Sequence, residues 1–108
     1  MTTLSTHVLD TGLGRPASGV GVTLETVAGQ PIWSGETDAD GRVSTLGPET
    51  LDAGDYRLRF ATAPYFAAQG KRTFYPEVVV VFTVDDADAH FHVPVLLNAY
   101  GYSTYRGS

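Results

Sequence analysis

The chain has 108 residues, 43% of them hydrophobic, a formal net charge of -5, three histidines and no cysteine. This suits one globular domain of ordinary size, able to bury a core without staples, and it excludes a disulfide framework or a thiolate metal site. The acidic balance and the scatter of the seven Lys and Arg residues exclude the basic stripe that would track the phosphates of nucleic acid or anionic lipid.

In chain order, Met1 to His7 shows neither a basic n-region nor an apolar h-region, and no apolar run approaches about 18 residues, so a soluble, cytoplasmic protein without a membrane partner is expected. The ending at Ser108 carries no Ser-Lys-Leu address, which argues against peroxisomal import. Leu4 to Leu9 reads as the first strand, closed by the Gly12-Leu13-Gly14-Arg15-Pro16 turn. In Val20 to Val27 the residues Val20, Val22 and Leu24 alternate with Gly21, Thr23 and Glu25, a period that buries one face of a strand and wets the other. Ala28-Gly29-Gln30-Pro31 turns into a strand at Ile32 to Thr37, and Asp38-Ala39-Asp40-Gly41 turns into another at Arg42 to Leu46. Asp52-Ala53-Gly54-Asp55 precedes Tyr56 to Ala61, where Tyr56, Leu58 and Phe60 alternate with Arg57, Arg59 and Ala61. Thr62 to Gly70 is predicted as a helix of about two turns, with Pro64 early and Gly70 just past its end. Strands follow at Val78 to Thr83, Phe91 to Leu97 and Tyr102 to Tyr105, with an acidic turn at Asp85-Asp86-Ala87-Asp88. About eight short strands and one short helix predict an all-β, two-sheet antiparallel β-sandwich occupying residues 1–108 as one domain.

The last nine residues, Tyr100 to Ser108, form an aromatic, hydroxyl-rich segment with one guanidinium, where small domains ordinarily end in loose polar residues. Upstream, Phe91, Val93, Val95 and Leu97 share one face of a strand, so His90 and His92 share the other. If the first strand lies beside this one, about 4.8 Å away, His7 joins them in one pocket. Arg42 leaves the Asp40-Gly41 turn in a fixed direction, and its planar fork suits carbonyl or anionic oxygens. Tyr100 and Tyr102 read as core or subunit-interface packing, whereas Tyr105 is placed to use its hydroxyl.

Gly12-Leu13-Gly14-Arg15-Pro16-Ala17 imitates a dinucleotide fingerprint, but Pro and then a strand stand where a phosphate-binding helix must begin. Asp38-Ala39-Asp40-Gly41 and Asp85-Asp86-Ala87-Asp88 lack the later bidentate Glu of a calcium loop. His7, His90 and His92 would make a three-histidine zinc set with an open position. The sequence shows no carboxylate second shell for it, so neither metal nor cofactor is expected.

Together these pieces resemble the transthyretin-like proteins, and more closely the 5-hydroxyisourate hydrolases within that superfamily. The resemblance rests on Leu4-Ser5-Thr6-His7-Val8-Leu9-Asp10, Gly14-Arg15-Pro16-Ala17, Thr37-Asp38-Ala39-Asp40-Gly41-Arg42, Gly54-Asp55-Tyr56, Phe74-Tyr75-Pro76-Glu77, His90-Phe91-His92-Val93-Pro94 and Tyr105-Arg106-Gly107-Ser108. It covers nearly the whole chain in order, and the terminal tetrapeptide is its specific part. Hormone-carrying transthyretins share the sandwich but lack this ending and a histidine matching His7. Asn98-Ala99 stands where Ser-Pro is more usual, a departure that touches local loop shape.

The resemblance implies a transthyretin-like sandwich assembled as a homotetramer, a dimer of dimers, with active sites in a central channel. It implies hydrolysis of the small-molecule substrate 5-hydroxyisourate to 2-oxo-4-hydroxy-4-carboxy-5-ureidoimidazoline in urate breakdown. The family's catalytic positions carry over to His7, Arg42, His92 and Ser108, and its substrate contacts to His7, Arg42 and Tyr105. His7 and His92 would divide base and orienting roles, Arg42 would hold the carbonyl oxygens, and Ser108 would position the water or an imidazole. The alternative is a transthyretin-like carrier that binds a small aromatic ligand in the same channel without catalysis.

Overall fold

Alternating side chains form nine strands and one helix in the computed structural model, which describes residues 3–48, 51–85 and 89–107. The strands are β1 (Thr3–Asp10), β2 (Arg15–Pro16), β3 (Gly21–Thr26), β4 (Pro31–Glu36), β5 (Arg42–Val43), β6 (Gly54–Ala61), β7 (Val78–Val84), β8 (His90–Asn98) and β9 (Gly101–Thr104). The helix α1 (Thr62–Ala67) follows β6 without a loop.

Two sheets carry these strands. One is ordered β2-β1-β8-β9, with β5 also on β1, and the other is ordered β4-β3-β6-β7. All pairings are antiparallel except β1 with β8, which runs parallel from Thr3 opposite His90 to Asp10 opposite Leu97. Strands β2 and β5 divide the other edge of β1, pairing with Leu9 and Asp10 and with Thr6 and His7 respectively.

Between the sheets lies the core. Leu4 and Val8 of β1 and Phe91, Val93, Val95 and Leu97 of β8 face Val22 and Leu24 of β3 and Leu58 and Phe60 of β6, all buried. Each such side chain contributes roughly 1.5–3 kcal/mol on leaving water. Polar groups that enter this layer are paired: the Thr6 hydroxyl donates to the Val93 carbonyl across the parallel seam at 2.5 Å. Buried Asp10 accepts the Leu13 N–H at 3.0 Å and the Tyr65 hydroxyl at 2.6 Å. Burial, helped by that carboxylate, pushes the Tyr65 phenol up to about 12. The outward side of the β3–β6 sheet is a lattice of ions, in which Arg57 and Arg59 both pair with Glu25, and Arg59 also with Glu77.

Several local outcomes differ from the periodicity. The Gly12–Pro16 turn ends in the short strand β2, because Arg15 and Pro16 fold back on Asp10 and Leu9. Strand β5 stops at Val43 rather than Leu46, and the Leu46 N–H returns to the Leu4 carbonyl at 2.8 Å after Ser44 and Thr45 bend away. Helix α1 stops at Ala67 because Gly70, at φ 68°, sends the Lys71 N–H to the Phe66 carbonyl and its own to Ala67. That is a Schellman closure, which needs a residue at ease in the left-handed region. Tyr100 is not core but 69% exposed, and Tyr102 packs edge-on against Tyr75 with centroids 5.1 Å apart. Of the predicted turn at Asp85 to Asp88, residues 86–88 lie outside the described residues. Among those described, no helix is long and apolar enough to cross a membrane.

Gly41 joins the two halves of the first sheet's edge. It has φ 74°, and a Cβ there would collide with the Val8 carbonyl oxygen and come within 3.1 Å of the Ala17 nitrogen. Gly41→Ala is therefore expected to cost roughly 2 kcal/mol or more. Thermal denaturation should show Tm lower by about 10 °C; an unchanged Tm would mean that the turn rearranges freely.

Candidate active site

Parallel pairing of β1 with β8 sets Thr3 opposite His90, Ser5 opposite His92 and His7 opposite Pro94. Since Leu4, Thr6 and Val8 point into the sandwich, the alternate residues Thr3, Ser5 and His7 stand on the outward face, as do His90 and His92 across the seam. On the opposite edge of β1, His7 is paired with Arg42 of β5. The predicted cluster of His7, Arg42 and His92 therefore forms on one face, and His90 joins it.

Hydrogen bonds aim these side chains. The Asp38 carboxylate accepts the backbone N–H groups of Asp40 and Arg42, each at 2.9 Å, which closes the turn and sets the start of β5. The same turn presents the Asp40 carbonyl to His7 Nε2 at 2.9 Å. A carbonyl only accepts, so Nε2 carries a proton and Nδ1 is the lone-pair nitrogen of a neutral His7. The acidic turn is thus a positioning device for His7 and Arg42. Ser5 Oγ lies 2.7 Å from His92 Nδ1 and 3.1 Å from His90 Nε2, and Thr3 Oγ1 lies 2.5 Å from His90 Nδ1. With Nδ1 engaged by Ser5, Nε2 is the His92 nitrogen left for chemistry.

His92 separates two clefts. One, about 240 Å³, is lined by Ser5, Thr6, Arg42, Val43, Ser44, His90 and His92. The other, about 310 Å³, is bounded by strand β7, Phe91, His92, Tyr105 and Arg106. Tyr105 therefore shares a cleft with His92 but not with Arg42. The tail keeps the β8–β9 register past the end of β9: Val95 faces Thr104, and His92 forms a bridge with Gly107, whose N–H donates to the His92 carbonyl at 2.9 Å. Arg106 lies over the Phe91 ring, 4.9 Å from its centroid, a cation–π contact that pins the tail. A Cβ on Gly107 would stand 2.5 Å from His92 Cδ2 and 3.2 Å from Cγ, so only glycine lets the tail backbone pass this close to the imidazole. Ser108, the remaining predicted site residue, lies outside the described residues.

The electrostatics single out His92. Burial comes first in lowering its pKa from the ordinary 6.5, followed by the positive fields of His90, Arg42 and His7; an interaction with the Ser5 backbone works in the opposite direction. An imidazole held neutral in this way accepts a proton at its free nitrogen near neutral pH. A guanidinium on the same cleft is placed to receive negative charge on oxygen. Among the described residues no three His, Asp or Glu side chains gather as a metal-holding set. The arrangement can take a proton from water and stabilise an oxyanion beside it.

Of the residues the sequence proposed for a site, His7, Arg42 and His92 come to one face, where Thr3 and Ser5, which it did not single out, hydrogen-bond the rings of His90 and His92. The signal for Thr3 and Ser5 was present as the hydroxyl, hydroxyl, imidazole order at positions 3, 5 and 7, the same period of two that was read for the core.

Residues 4–107 match the model of the HIUase/Transthyretin family. The chain is 48% identical over 109 residues to the 5-hydroxyisourate hydrolase of Salmonella dublin, covering 97% of this chain and 80% of that protein. It superposes on the Klebsiella pneumoniae 5-hydroxyisourate hydrolase structure with a TM-score of 0.91 at 40% identity, covering 98% and 99% of the two chains. The transthyretin structure from Sparus aurata gives a TM-score of 0.87 at 32% identity, with 96% and 95% covered.

For His92 the sign of the pH effect follows from its lowered pKa. The unfolded chain takes up a proton there around pH 6.5 and the folded chain only at lower pH, so this group removes stability as pH falls through 6.5 and contributes nothing above it. An NMR titration of the ring is expected to give a midpoint below 6.5, and Arg42→Met should move it upward. A midpoint at or above 6.5 in the unaltered protein would contradict the buried, positively surrounded imidazole described above.

Proposed function

Because the chain belongs to the HIUase/Transthyretin family, we propose that it hydrolyses 5-hydroxyisourate to 2-oxo-4-hydroxy-4-carboxy-5-ureidoimidazoline in urate breakdown. The observation that carries this reading is the convergence of His92, His7 and Arg42 on one outward face beside a tail that passes over the His92 ring. Opening a cyclic acyl urea requires a water oxygen to bond to the carbonyl carbon and the carbon–nitrogen bond to break. His92 Nε2 takes the water's proton as it attacks. Arg42 holds the oxygen on which negative charge develops, where a preorganised cation is worth most. The His92 Nε2–H then donates its proton to the departing ring nitrogen, completing the hydrolysis without net proton change. His7, with Nε2–H committed to the Asp40 carbonyl, has Nδ1 left as an acceptor with which to orient the substrate. Tyr105 contributes a substrate contact from the neighbouring cleft, and Ser108, next to Gly107, positions the water.

The working assembly in this reading is a cytoplasmic homotetramer. Strands β7 and β9 end their sheets, each paired on one side among the described residues, and Val81, Tyr100, Tyr102 and Tyr105 are exposed around those edges. Open edges and exposed aromatic residues are what an association of copies covers. A carrier on the same scaffold needs neither a neutral imidazole nor a cation beside it, and a direct assay separates the two.

Freshly generated 5-hydroxyisourate, followed by its ultraviolet absorbance, is expected to decay faster with the protein than spontaneously; no acceleration would leave the carrier ahead. His92→Asn should lower kcat by about 10²- to 10⁴-fold with an unchanged circular dichroism spectrum. Gly107→Ala, which forces the tail or the ring aside, should lower it by about 10²-fold. Full turnover in either variant would remove that residue from the mechanism. Sedimentation equilibrium should report about 46 kDa, four times the 11.5 kDa chain.

A further inference from the structure

Beyond the residues that face the substrate, we infer that Thr3, His90 and Ser5 form a hydrogen-bonded proton relay ending on His92 Nδ1, which presents His92 Nε2 to the cleft and carries away the proton that His92 acquires. This rests on the hydrolase reading above. Three successive contacts carry it: Thr3 Oγ1 to His90 Nδ1 at 2.5 Å, His90 Nε2 to Ser5 Oγ at 3.1 Å, and Ser5 Oγ to His92 Nδ1 at 2.7 Å. The two rings are stacked with an interplanar angle of 16°, so their nitrogens reach the single serine hydroxyl between them. Backbone register holds the four residues in place, since Thr3 is paired with His90 and Ser5 with His92 along the parallel seam.

Counting protons makes the chain directional. A hydroxyl has one proton and a neutral imidazole one N–H, so Ser5 donates to one ring and accepts from the other. In one polarity His92 Nδ1–H donates to Ser5, Ser5 O–H donates to His90 Nε2, and His90 Nδ1–H donates to Thr3, whose own proton faces water. His92 Nε2 is then a bare lone pair. When Nε2 takes a proton from the attacking water, the Nδ1 proton moves to Ser5, the Ser5 proton to His90 Nε2, the His90 Nδ1 proton to Thr3 and the Thr3 proton to solvent. One proton enters at His92 and one leaves at Thr3, the reversed chain leaves Nε2–H as donor to the departing nitrogen, and return of a solvent proton along the same path restores the first polarity. Thr3 and His90 are exposed, Ser5 is almost wholly buried and His92 partly buried, so the chain connects water to the ring. In such a relay both rings stay neutral, instead of a cationic charge resting on His92 between His90, Arg42 and His7.

Thr3, His90 and Ser5 are positioning residues here, and the test reads more than activity. In the unaltered protein, ¹⁵N shifts of His92 should show the Nδ1–H tautomer, and turnover on 5-hydroxyisourate should give a curved proton inventory in mixed light and heavy water. Ser5→Ala and His90→Ala should each lower kcat about 10- to 100-fold with KM changed less than twofold, since they remove part of what His92 supplies. Both should make the inventory linear and Ser5→Ala should shift the His92 tautomer. Ser5→Thr, which keeps the hydroxyl, should restore most of kcat, and free imidazole should rescue His90→Ala. If the unaltered protein turns over substrate while both alanine variants keep full kcat and the His92 ¹⁵N shifts stay put, the relay is wrong and the hydrolase reading stands. If the unaltered protein shows no turnover, the hydrolase reading fails, and the ¹⁵N comparison alone decides whether Ser5 sets the tautomer.

Discussion

The parallel seam between β1 and β8 is the constraint on which the molecule depends. It joins residues 3–10 to residues 90–97, and every outward-facing group in the candidate site is on one of those strands or hydrogen-bonded to the edge of one. Closing so long a loop is entropically tolerable, because each doubling of loop length adds only about 0.6 kcal/mol. What offsets it is the apolar inner face of the same two strands, with Leu4, Val8, Phe91, Val93, Val95 and Leu97 packed against the second sheet. The energy that holds the seam and the chemistry displayed on it come from opposite faces of the same backbone.

That division makes register an all-or-none property. Slipping β8 by one residue against β1 would turn Phe91 and Val93 to water and drive His90 and His92 into the core. The buried Thr6 hydroxyl, donating to the Val93 carbonyl, adds a specific polar lock at the middle of the seam. The core therefore protects the site's geometry from the opposite face of the same strands. The two outward faces show how different the same alternation can be: one sheet carries the Glu25, Arg57, Arg59 and Glu77 lattice, in which opposite charges satisfy one another, while the other carries imidazoles and Arg42 beside a cleft.

Short loops complete what the strands begin. Asp38 gathers two backbone N–H groups, Gly41 accepts a positive φ against the Val8 carbonyl, and the Asp40 carbonyl fixes the proton on His7. At the other end Gly107 lets the tail approach the His92 ring and Arg106 anchors it on Phe91. Both devices use the absence of a side chain to let one backbone come close to another, and in both the neighbouring cation, Arg42 or Arg106, is delivered by the same turn of chain.

Much of this was legible in the residues alone. Alternation, Asp-Gly and Gly-x-Pro turns and the Pro64 to Gly70 punctuation determined an all-β sandwich with one short helix, because strand and turn preferences act over a few neighbouring residues. They also separated inner from outer faces, which is why His90 and His92 were assigned to one side. Resemblance, carried most specifically by the terminal Tyr-Arg-Gly-Ser, proposed a site that includes His7, Arg42 and His92, and these three come to one face. Tertiary structure alone decided that β1 lies parallel to β8 with Ser5 opposite His92, that β2 forms from a turn, that β5 is cut short, and that Tyr105 enters a different cleft from Arg42. Those outcomes depend on which distant backbone groups satisfy one another's hydrogen bonds, and local periodicity carries no record of that choice.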